Sequence, residues 1–161
     1  MNILAFRPCS RSVEFAEEKI ADIGCEAAEL LVKNYHEVET YQDLPLDPDW
    51  KRLLEGERQG NIVVLTARVD RKLVGYLVYS ISRNLHVDFK QAICDVFYVL
   101  PEYRVSSIAL RLLRFGEEEM RKREVGLLWA CSKSEPKHHK GAIFERLGYH
   151  AHEIAYLKRL S

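Results

Sequence analysis

The stretch ICDVFYVLPEYRVSSIALRLLRFGEEEMRK, residues 93–122, decides how the rest of the chain is organised. It begins with an apolar run, Ile93 to Val99, that is typical of a buried strand, and it continues through a turn that contains Pro101. Ser106 or Ser107 can then cap a helix with its hydroxyl group. The stretch therefore predicts a strand, a turn and a helix N-terminus, in that order.

A helix that begins directly after a strand presents backbone N–H groups that have no partner inside the helix. These groups and the positive end of the helix dipole attract anions, phosphate in particular. Arg104 comes just before the helix and adds a positive charge. The junction is thus either an anion or pyrophosphate site or an ordinary turn with a solvated arginine, and the stretch by itself leaves both readings open.

Length and composition predict one soluble domain over residues 1–161. The 161 residues are 47% hydrophobic, which is enough for a single sizeable core. The 24 basic residues balance the 24 acidic residues, so no overall charge draws the protein to nucleic acid or to an anionic membrane. Nucleic acid is therefore an improbable partner, and we expect no membrane association.

The cysteines and the terminal residues indicate a cytoplasmic setting. The four cysteines are far apart and form no C-x-x-C pair, which argues against a zinc knuckle and a small disulfide scaffold. We expect no metal site. No apolar run reaches the length of about 20 residues that a membrane span needs, and the first residues lack the features of a signal peptide.

Apolar periodicity and turn residues predict the remaining elements. The predicted elements are a strand Asn2–Arg7, a long helix from Ser10 or Ser12 to about Tyr35, a short helix Pro48–Glu57, strands Ile62–Arg68, Leu73–Ile81 and Gln91–Val99 with a hairpin at Val69–Lys72, the central helix, a strand Gly126–Cys131 parallel to Ile93–Val99, a helix Lys137–Leu147, and a last strand His150–Leu160.

Two motifs carry a resemblance to a known family. The run VLPEYRVSSIA, residues 99–109, resembles the acyl-CoA-binding segment Arg/Gln-x-x-Gly-x-Gly/Ala of the GNAT superfamily of N-acyltransferases, and FERLGY, residues 144–149, resembles the family's Tyr-Glu-Lys-Leu-Gly-Phe element. The order of the predicted elements also matches the GNAT topology. The chain departs from the family pattern at Ser107, where the first glycine is usual, and at Phe144, where a tyrosine is usual.

The resemblance implies an α/β (α+β) fold with a mixed, mostly antiparallel sheet, helices on both faces, and a splayed parallel strand pair that holds CoA. It also implies an acetyl-CoA-dependent N-acetyltransferase, in which a primary amine of a small molecule or a protein attacks the thioester directly. A homodimer is possible within this family. The residues that the resemblance assigns to cofactor binding are Phe97, Tyr98, Val99, Arg104, Val105, Ser106, Ser107, Ile108, Ala109 and Phe144.

Four residues are candidates for catalysis or acceptor binding. In related enzymes an acidic residue often faces the acceptor from the position of Asp95, which makes Asp95 the candidate base; an ion pair with a neighbouring element is the alternative. His86, before the third sheet strand, and Tyr35 and His36, at the end of the first helix, border the acceptor entrance in this topology. A histidine can accept a proton near neutral pH, but exposed loop surface is the alternative for each.

The two departures support a second hypothesis. A Cβ atom at Ser107 restricts the approach of a pyrophosphate, and a phenyl ring at Phe144 cannot donate a proton to the leaving sulfur. The chain is then a non-catalytic binding or inhibitor module that acts on a host or phage protein. A weaker similarity to GNAT proteins of bacteriophages and prophages, over 34–43 and parts of the sheet, implies a viral context and a third hypothesis, acyl transfer to a nucleic-acid base.

Overall fold

A computed structural model describes residues 12–39, 43–104, 107–133 and 140–160. The chain forms two compact units, one that ends at Cys131 and one that begins at Ser132. The first contains, in chain order, β1 (Val13–Glu17), α1 (Ile20–Val38), α2 (Trp50–Arg58), β2 (Ile62–Val69), β3 (Lys72–Arg83), β4 (Lys90–Val99), a 3-10 turn (Pro101–Tyr103), α3 (Ile108–Lys122) and β5 (Val125–Ala130). The second contains α4 (Gly141–Arg146).

The five strands form one mixed sheet in the order β1-β2-β3-β4-β5. The first three pairings are antiparallel, and β5 pairs with β4 in parallel after the crossover through α3. Right-handed crossover through a helix is the normal way to join parallel neighbours. The mixed, mostly antiparallel α/β sheet that the sequence predicts is confirmed, and so is the parallel placement of the strand after α3.

Helices cover both faces of the sheet. Leu77 and Tyr79 of β3 lie against Gly116 of α3, while Tyr76, on the opposite face of the same strand, lies near Asn34 of α1. The central strands β2 and β3 are apolar almost throughout, as strands buried on both faces must be. The core residues that are almost completely shielded from solvent include Leu65, Leu73, Leu77, Leu112, Leu113 and Met120.

The predicted hairpin between β2 and β3 is confirmed, with an unusual turn. Asp70 and Arg71 have φ angles of 48° and 69°, which lie in the left-handed region that glycine and asparagine usually occupy. The carboxylate of Asp70 accepts a hydrogen bond from the Ser12 N–H at 3.2 Å, and the Asp70 N–H donates to the Ser12 carbonyl at 3.1 Å. These contacts tie the turn to the start of β1.

The predicted start of the first helix is wrong. Val13–Glu17 forms strand β1, which pairs antiparallel with β2, and α1 begins only at Ile20. The edge of β2 supplies backbone partners to this segment, and that pairing outweighs the helical spacing of Ala16 and Ile20. The strand predicted at 2–7 lies outside the described residues.

The predicted last strand is also wrong. Residues 149–160 have no regular secondary structure, and residues 150–160 lie exposed, with Ile154 at 79% exposure. Alternating polarity can suggest a strand, but a strand forms only where a neighbour pairs with its backbone, and no described strand pairs with this segment. The predicted helix at 137–147 is shorter, Gly141–Arg146, and residues 137–139 lie outside the described part of the chain.

None of the helices in the described ranges is both long enough and apolar enough to cross a lipid bilayer.

Candidate active site

Strand β4 runs further than its parallel neighbour. The last residues that pair β4 with β5 are Cys94 and Ala130, whereas β4 continues to Val99. On its other side β4 stays paired with β3 as far as Val99, which lies opposite Gly75. Residues 95–99 therefore form a stretch of supported strand beyond the end of the parallel pairing, where an extended ligand can lie along the backbone.

A bulge in β4 lies directly after the last residue of β4 that pairs with β5. Cys94 lies opposite Tyr79 and Val96 lies opposite Val78, so Asp95 is an extra residue in β4. A bulge redirects the side chain at which it occurs. Asp95 is exposed, so the cost of burying a bare carboxylate does not force a partner on it. An exposed carboxylate at this point is accessible to an incoming amine.

Two tyrosines from neighbouring strands lie on the α1 face beside this bulge. Tyr76 of β3 is opposite Tyr98 of β4, with ring centroids 6.3 Å apart. Tyr76 is only 5% exposed, and burial is the main cause that raises the pKa of its hydroxyl. The amide of Asn34 opposes this rise, while electrostatic interactions with Tyr98 and Asp95 add to it. The hydroxyl makes no hydrogen bond of ordinary length within the described residues. It remains protonated at neutral pH and can donate.

The guanidinium of Arg104 is bound on three sides. Its Nε–H donates to the carbonyl of Val99 at 2.7 Å, and its Nη1 and Nη2 donate to the two carboxylate oxygens of Glu37 at 2.6 and 2.8 Å. Its central carbon lies 5.3 Å from the centroid of the Tyr98 ring. The hydrogen bonds to Glu37 raise the pKa of Arg104. The pKa of Tyr98 is raised as well, mainly because its ring is buried and then because of the charge of Glu37. Arg104 therefore contacts α1 and the end of β4.

Helix α3 begins as the sequence predicts. Ser107 is its N-cap, with a φ angle of −77°, and its carbonyl accepts a hydrogen bond from the Arg111 N–H at 2.9 Å. The Ser107 side chain makes no capping hydrogen bond, so the hydroxyl cap predicted for Ser107 is wrong, and Ser106 lies outside the described residues. Ile108 is buried and Ala109 is half-buried, while Val105 and Ser106 lie outside the described residues. The first turn of α3 follows the end of β4 closely, as an anion site at this junction requires.

The residues predicted on the acceptor side are divided between two regions. Tyr35 and His36 lie in the last turns of α1 with their rings edge to face, 5.6 Å between centroids, and the Tyr35 hydroxyl donates to the Leu44 carbonyl. His86 is exposed in the connection between β3 and β4, and its N–H donates to Asn84 Oδ1 at 2.9 Å. Five residues of strand, about 16 Å, separate the start of β4 from Asp95. The structure thus does not bring His86 and Asp95 together.

Phe144 lies in α4, within the second unit. Its side chain is buried, and its ring packs against Tyr149 with centroids 5.7 Å apart. The turn after α4 contains Gly148 with a φ of 89°, which explains why the predicted helix ends there. Within this unit Phe144 serves as a packing residue.

Sequence reasoning did not single out Tyr76 or Glu37. A tyrosine in a long apolar strand brings one hydroxyl into the core, and this feature of the sequence could have identified Tyr76 as a candidate site residue. Glu37 lies in the acidic run 37–49, but only the fold brings it beside Arg104, which is 67 residues away in the chain.

Comparison with known proteins gives the family. The family model described as "Acetyltransferase (GNAT) family" matches residues 24–149. The chain belongs to the GNAT acetyltransferase family. No curated protein matches its sequence.

Solved GNAT structures share the fold at low sequence identity. An aminoglycoside acetyltransferase from an uncultured soil metagenomic sample is 16% identical with a TM-score of 0.74, over 93% of this chain and 99% of that chain. A ribosomal-protein-alanine N-acetyltransferase from Brucella melitensis biovar Abortus 2308 is 22% identical with a TM-score of 0.72, over 92% and 99%. Glucosamine-6-phosphate N-acetyltransferase from Arabidopsis thaliana is 15% identical with a TM-score of 0.70, over 93% and 99%.

GNAT proteins generally use acetyl-CoA as the acyl donor. The described residues fit this ligand mainly through backbone groups. The stretch 95–99 extends beyond the parallel pairing and leads within a few residues to the N-terminus of α3, which favours a phosphate. The guanidinium of Arg104, which was predicted to add charge there, instead binds Glu37 and the Val99 carbonyl.

Proposed function

We propose that this GNAT protein is an acetyl-CoA-dependent N-acetyltransferase whose acceptor is a primary amine. The observation that carries the proposal is the extension of β4 over residues 95–99 beyond the end of its pairing with β5, directly before the N-terminus of α3. Membership of the GNAT family supports the same activity.

The donor lies along the end of β4 in this proposal. Acetyl-CoA supplies an acetyl group that is activated as a thioester. The backbone of Phe97, Tyr98 and Val99 binds the extended part of the donor, and the N–H groups of Ser107, Ile108 and Ala109 at the start of α3 bind its pyrophosphate. Backbone N–H near Tyr98 or Val99 stabilises the negative charge that develops on the thioester oxygen.

The exposed carboxylate of Asp95 is the proposed base. An alkyl amine has a pKa of about 10, so it is mostly protonated at neutral pH and must lose a proton to react. Asp95 stands at the bulge directly after the last β4 residue that pairs with β5, and it accepts that proton directly or through water. The amine nitrogen then joins the acetyl carbon as the carbon–sulfur bond breaks. His86 is the second candidate base. It is the weaker candidate because it precedes β4, whereas the donor lies along residues 95–99 at the other end of that strand.

The leaving thiolate takes its proton from water in this proposal. The family often places a tyrosine where this chain has Phe144, and a phenyl ring has no proton to give. A thiol has a pKa of about 8.5, so a thiolate can leave without a dedicated acid at moderate cost. We expect a slower reaction than an aligned general acid allows.

The acceptor enters beside the last turn of α1. Tyr35 and His36 lie there, next to the acidic run 37–49, which favours a cationic amine of a small molecule or a protein. The resemblance to phage and prophage proteins places a host molecule among the candidates.

Release of free thiol from acetyl-CoA tests this function. The wild type and Asp95→Asn are compared over a panel of primary amines that includes aminoglycosides, polyamines and peptides with a free N-terminus. We expect release that depends on both the amine and Asp95. Release that is the same with and without every amine, together with no acetylated product by mass spectrometry, contradicts the proposal.

The phenyl ring at Phe144, which cannot donate a proton to the leaving sulfur, favours one alternative, a GNAT-fold module that binds a partner and does not catalyse. Binding of acetyl-CoA without turnover on any amine, in both the wild type and Phe144→Tyr, supports this alternative. Turnover by the wild type excludes it.

A further inference from the structure

Arg104 connects two segments that are far apart in the chain. Its Nε–H binds the carbonyl of Val99, the last residue of β4, and its two terminal nitrogens bind the carboxylate of Glu37, in the last turn of α1. A two-pronged arginine–carboxylate pair fixes orientation as well as distance. The end of β4 and the end of α1 are therefore joined through one guanidinium.

The surroundings of the pair favour its persistence. The side chain of Glu37 is 27% exposed and that of Arg104 is 41% exposed, so solvent screens the pair only in part. The ring of Tyr98 lies along the guanidinium, with its centroid 5.3 Å from the central carbon. If Arg104 turned towards a pyrophosphate, it would give up its bonds to Glu37 and Val99, and the half-buried carboxylate would lose this cation.

We propose that Arg104 is a positioning residue and does not bind the pyrophosphate. Through Glu37 and the Val99 carbonyl it holds the end of β4, where the donor binds, against the last turn of α1, which carries Tyr35 and His36. The part of this inference that concerns acetyl-CoA rests on the proposed function. The connection between β4 and α1 does not, and it is tested separately.

The direction in which one substitution changes the affinity for acetyl-CoA distinguishes a positioning residue from a phosphate ligand. Glu37→Gln keeps the size of the side chain and removes its charge, so it weakens the hold on Arg104. A phosphate ligand that is released in this way binds acetyl-CoA more tightly. A positioning residue that is released leaves the end of β4 less well ordered, and the affinity falls.

Titration calorimetry with acetyl-CoA provides the first measurement. We expect Arg104→Ala and Glu37→Gln each to weaken binding by about 3- to 10-fold, and the double variant to be no weaker than Arg104→Ala, because both residues act through one contact. Arg114→Ala, which removes an exposed arginine of α3, is the matched control and leaves the affinity unchanged. Tighter binding by Glu37→Gln together with weaker binding by Arg104→Ala overturns the proposal.

Hydrogen exchange in the ligand-free protein provides the second measurement, which does not need acetyl-CoA. The Leu100 N–H donates to Val74 at 2.8 Å and the Glu39 N–H donates to Tyr35 at 2.9 Å, so these two amides report on the end of β4 and the end of α1. We expect faster exchange at both sites in Arg104→Ala and in Glu37→Gln, partial recovery in Arg104→Lys, and no change in Arg114→Ala. Unchanged exchange at both sites overturns the proposal.

The two measurements separate the inference from the proposed function. If the wild type does not bind acetyl-CoA, the proposed function fails, and hydrogen exchange alone decides whether Arg104 joins β4 to α1. If the wild type binds but exchange is unchanged in the variants, the function stands and the positioning role is wrong.

Discussion

Gly116 of α3 packs directly against Leu77 of β3: a Cβ atom at position 116 would lie 2.6 Å from Leu77 Cδ2 and 3.0 Å from the Tyr79 hydroxyl oxygen. Both side chains are buried, so neither can move away freely. The absence of a side chain at Gly116 sets how closely the helix approaches the sheet.

We expect Gly116→Ala to lower the free energy of unfolding by about 1–3 kcal/mol, because overpacking a dense core forces shifts of this cost. Gly24→Ala is the matched control. Gly24 is also in a helix, but a Cβ atom there meets nothing within 4 Å, so the better helix propensity of alanine should raise stability by about 0.5–1 kcal/mol. Urea denaturation measures both. Equal effects of the two substitutions would show that the contact of α3 with β3 is loose.

The second prediction concerns acid stability. Arg68 of β2 binds Glu18 through its Nε at 3.0 Å and Glu26 of α1 through its Nη1 at 2.9 Å. The hydrogen bond from Arg68 is the main cause that lowers the pKa of Glu26 from its ordinary 4.5. A lowered pKa means that Glu26 stabilises the fold above its unfolded pKa and that this contribution is lost as the pH falls through the folded pKa.

Glu26→Gln should therefore lose about 0.5–1 kcal/mol at neutral pH, since the carboxylate is half exposed. It should also lose less stability than the wild type between about pH 5 and about pH 3. Thermal unfolding across this range is the measurement, with Glu29→Gln, an exposed glutamate of the same helix, as the control. Parallel pH profiles for the wild type and Glu26→Gln would show that the ion pair does not stabilise the fold.

The third prediction tests Asp95 as the base. Asp95→Asn keeps the shape of the side chain and removes its charge, so acyl transfer should fall by about 10²- to 10⁴-fold near neutral pH. The loss should shrink at high pH, where more of the acceptor amine is neutral. His86→Gln is the control and should retain most of the rate. A wild-type rate for Asp95→Asn at every pH would eliminate Asp95 and direct attention to His86 or His36.

The fourth prediction concerns Ser107, where the family usually has glycine. Its φ of −77° is one that any residue adopts, so the missing glycine causes no backbone strain. Its hydroxyl makes no capping bond, and under the proposed function it is a candidate donor to a phosphate oxygen. Ser107→Gly should therefore weaken acetyl-CoA binding by about 0.5–1.5 kcal/mol. Tighter binding would show instead that the Cβ atom obstructs the pyrophosphate.

The central elements could be predicted because each carries its own signal. The apolar runs of β2, β3 and β4, the turn at Pro101 and the serine before α3 are local features, and the structure confirms them. The strand β1 was missed because its state depends on a partner: the edge of β2 pairs with residues 13–17. The strand predicted over the exposed residues 150–160 was wrong for the converse reason, since alternating polarity without a partner strand forms no strand.

The candidate site was predictable only in part. The sequence indicates Asp95 and the helix N-terminus at Ser107 because strand position and the residues of the turn before the helix are local signals. The bulge at Asp95 depends on the register against β3, and the engagement of Arg104 depends on Glu37, far away in the chain. Neither is visible in a single sequence, because both arise from packing between distant segments.

Calorimetric titration of the wild-type protein with acetyl-CoA tests the central claim most directly. The account predicts saturable binding with one site per chain, a higher melting temperature with acetyl-CoA present, and weaker binding by Ser107→Gly. The absence of both heat and a thermal shift at millimolar acetyl-CoA would contradict it.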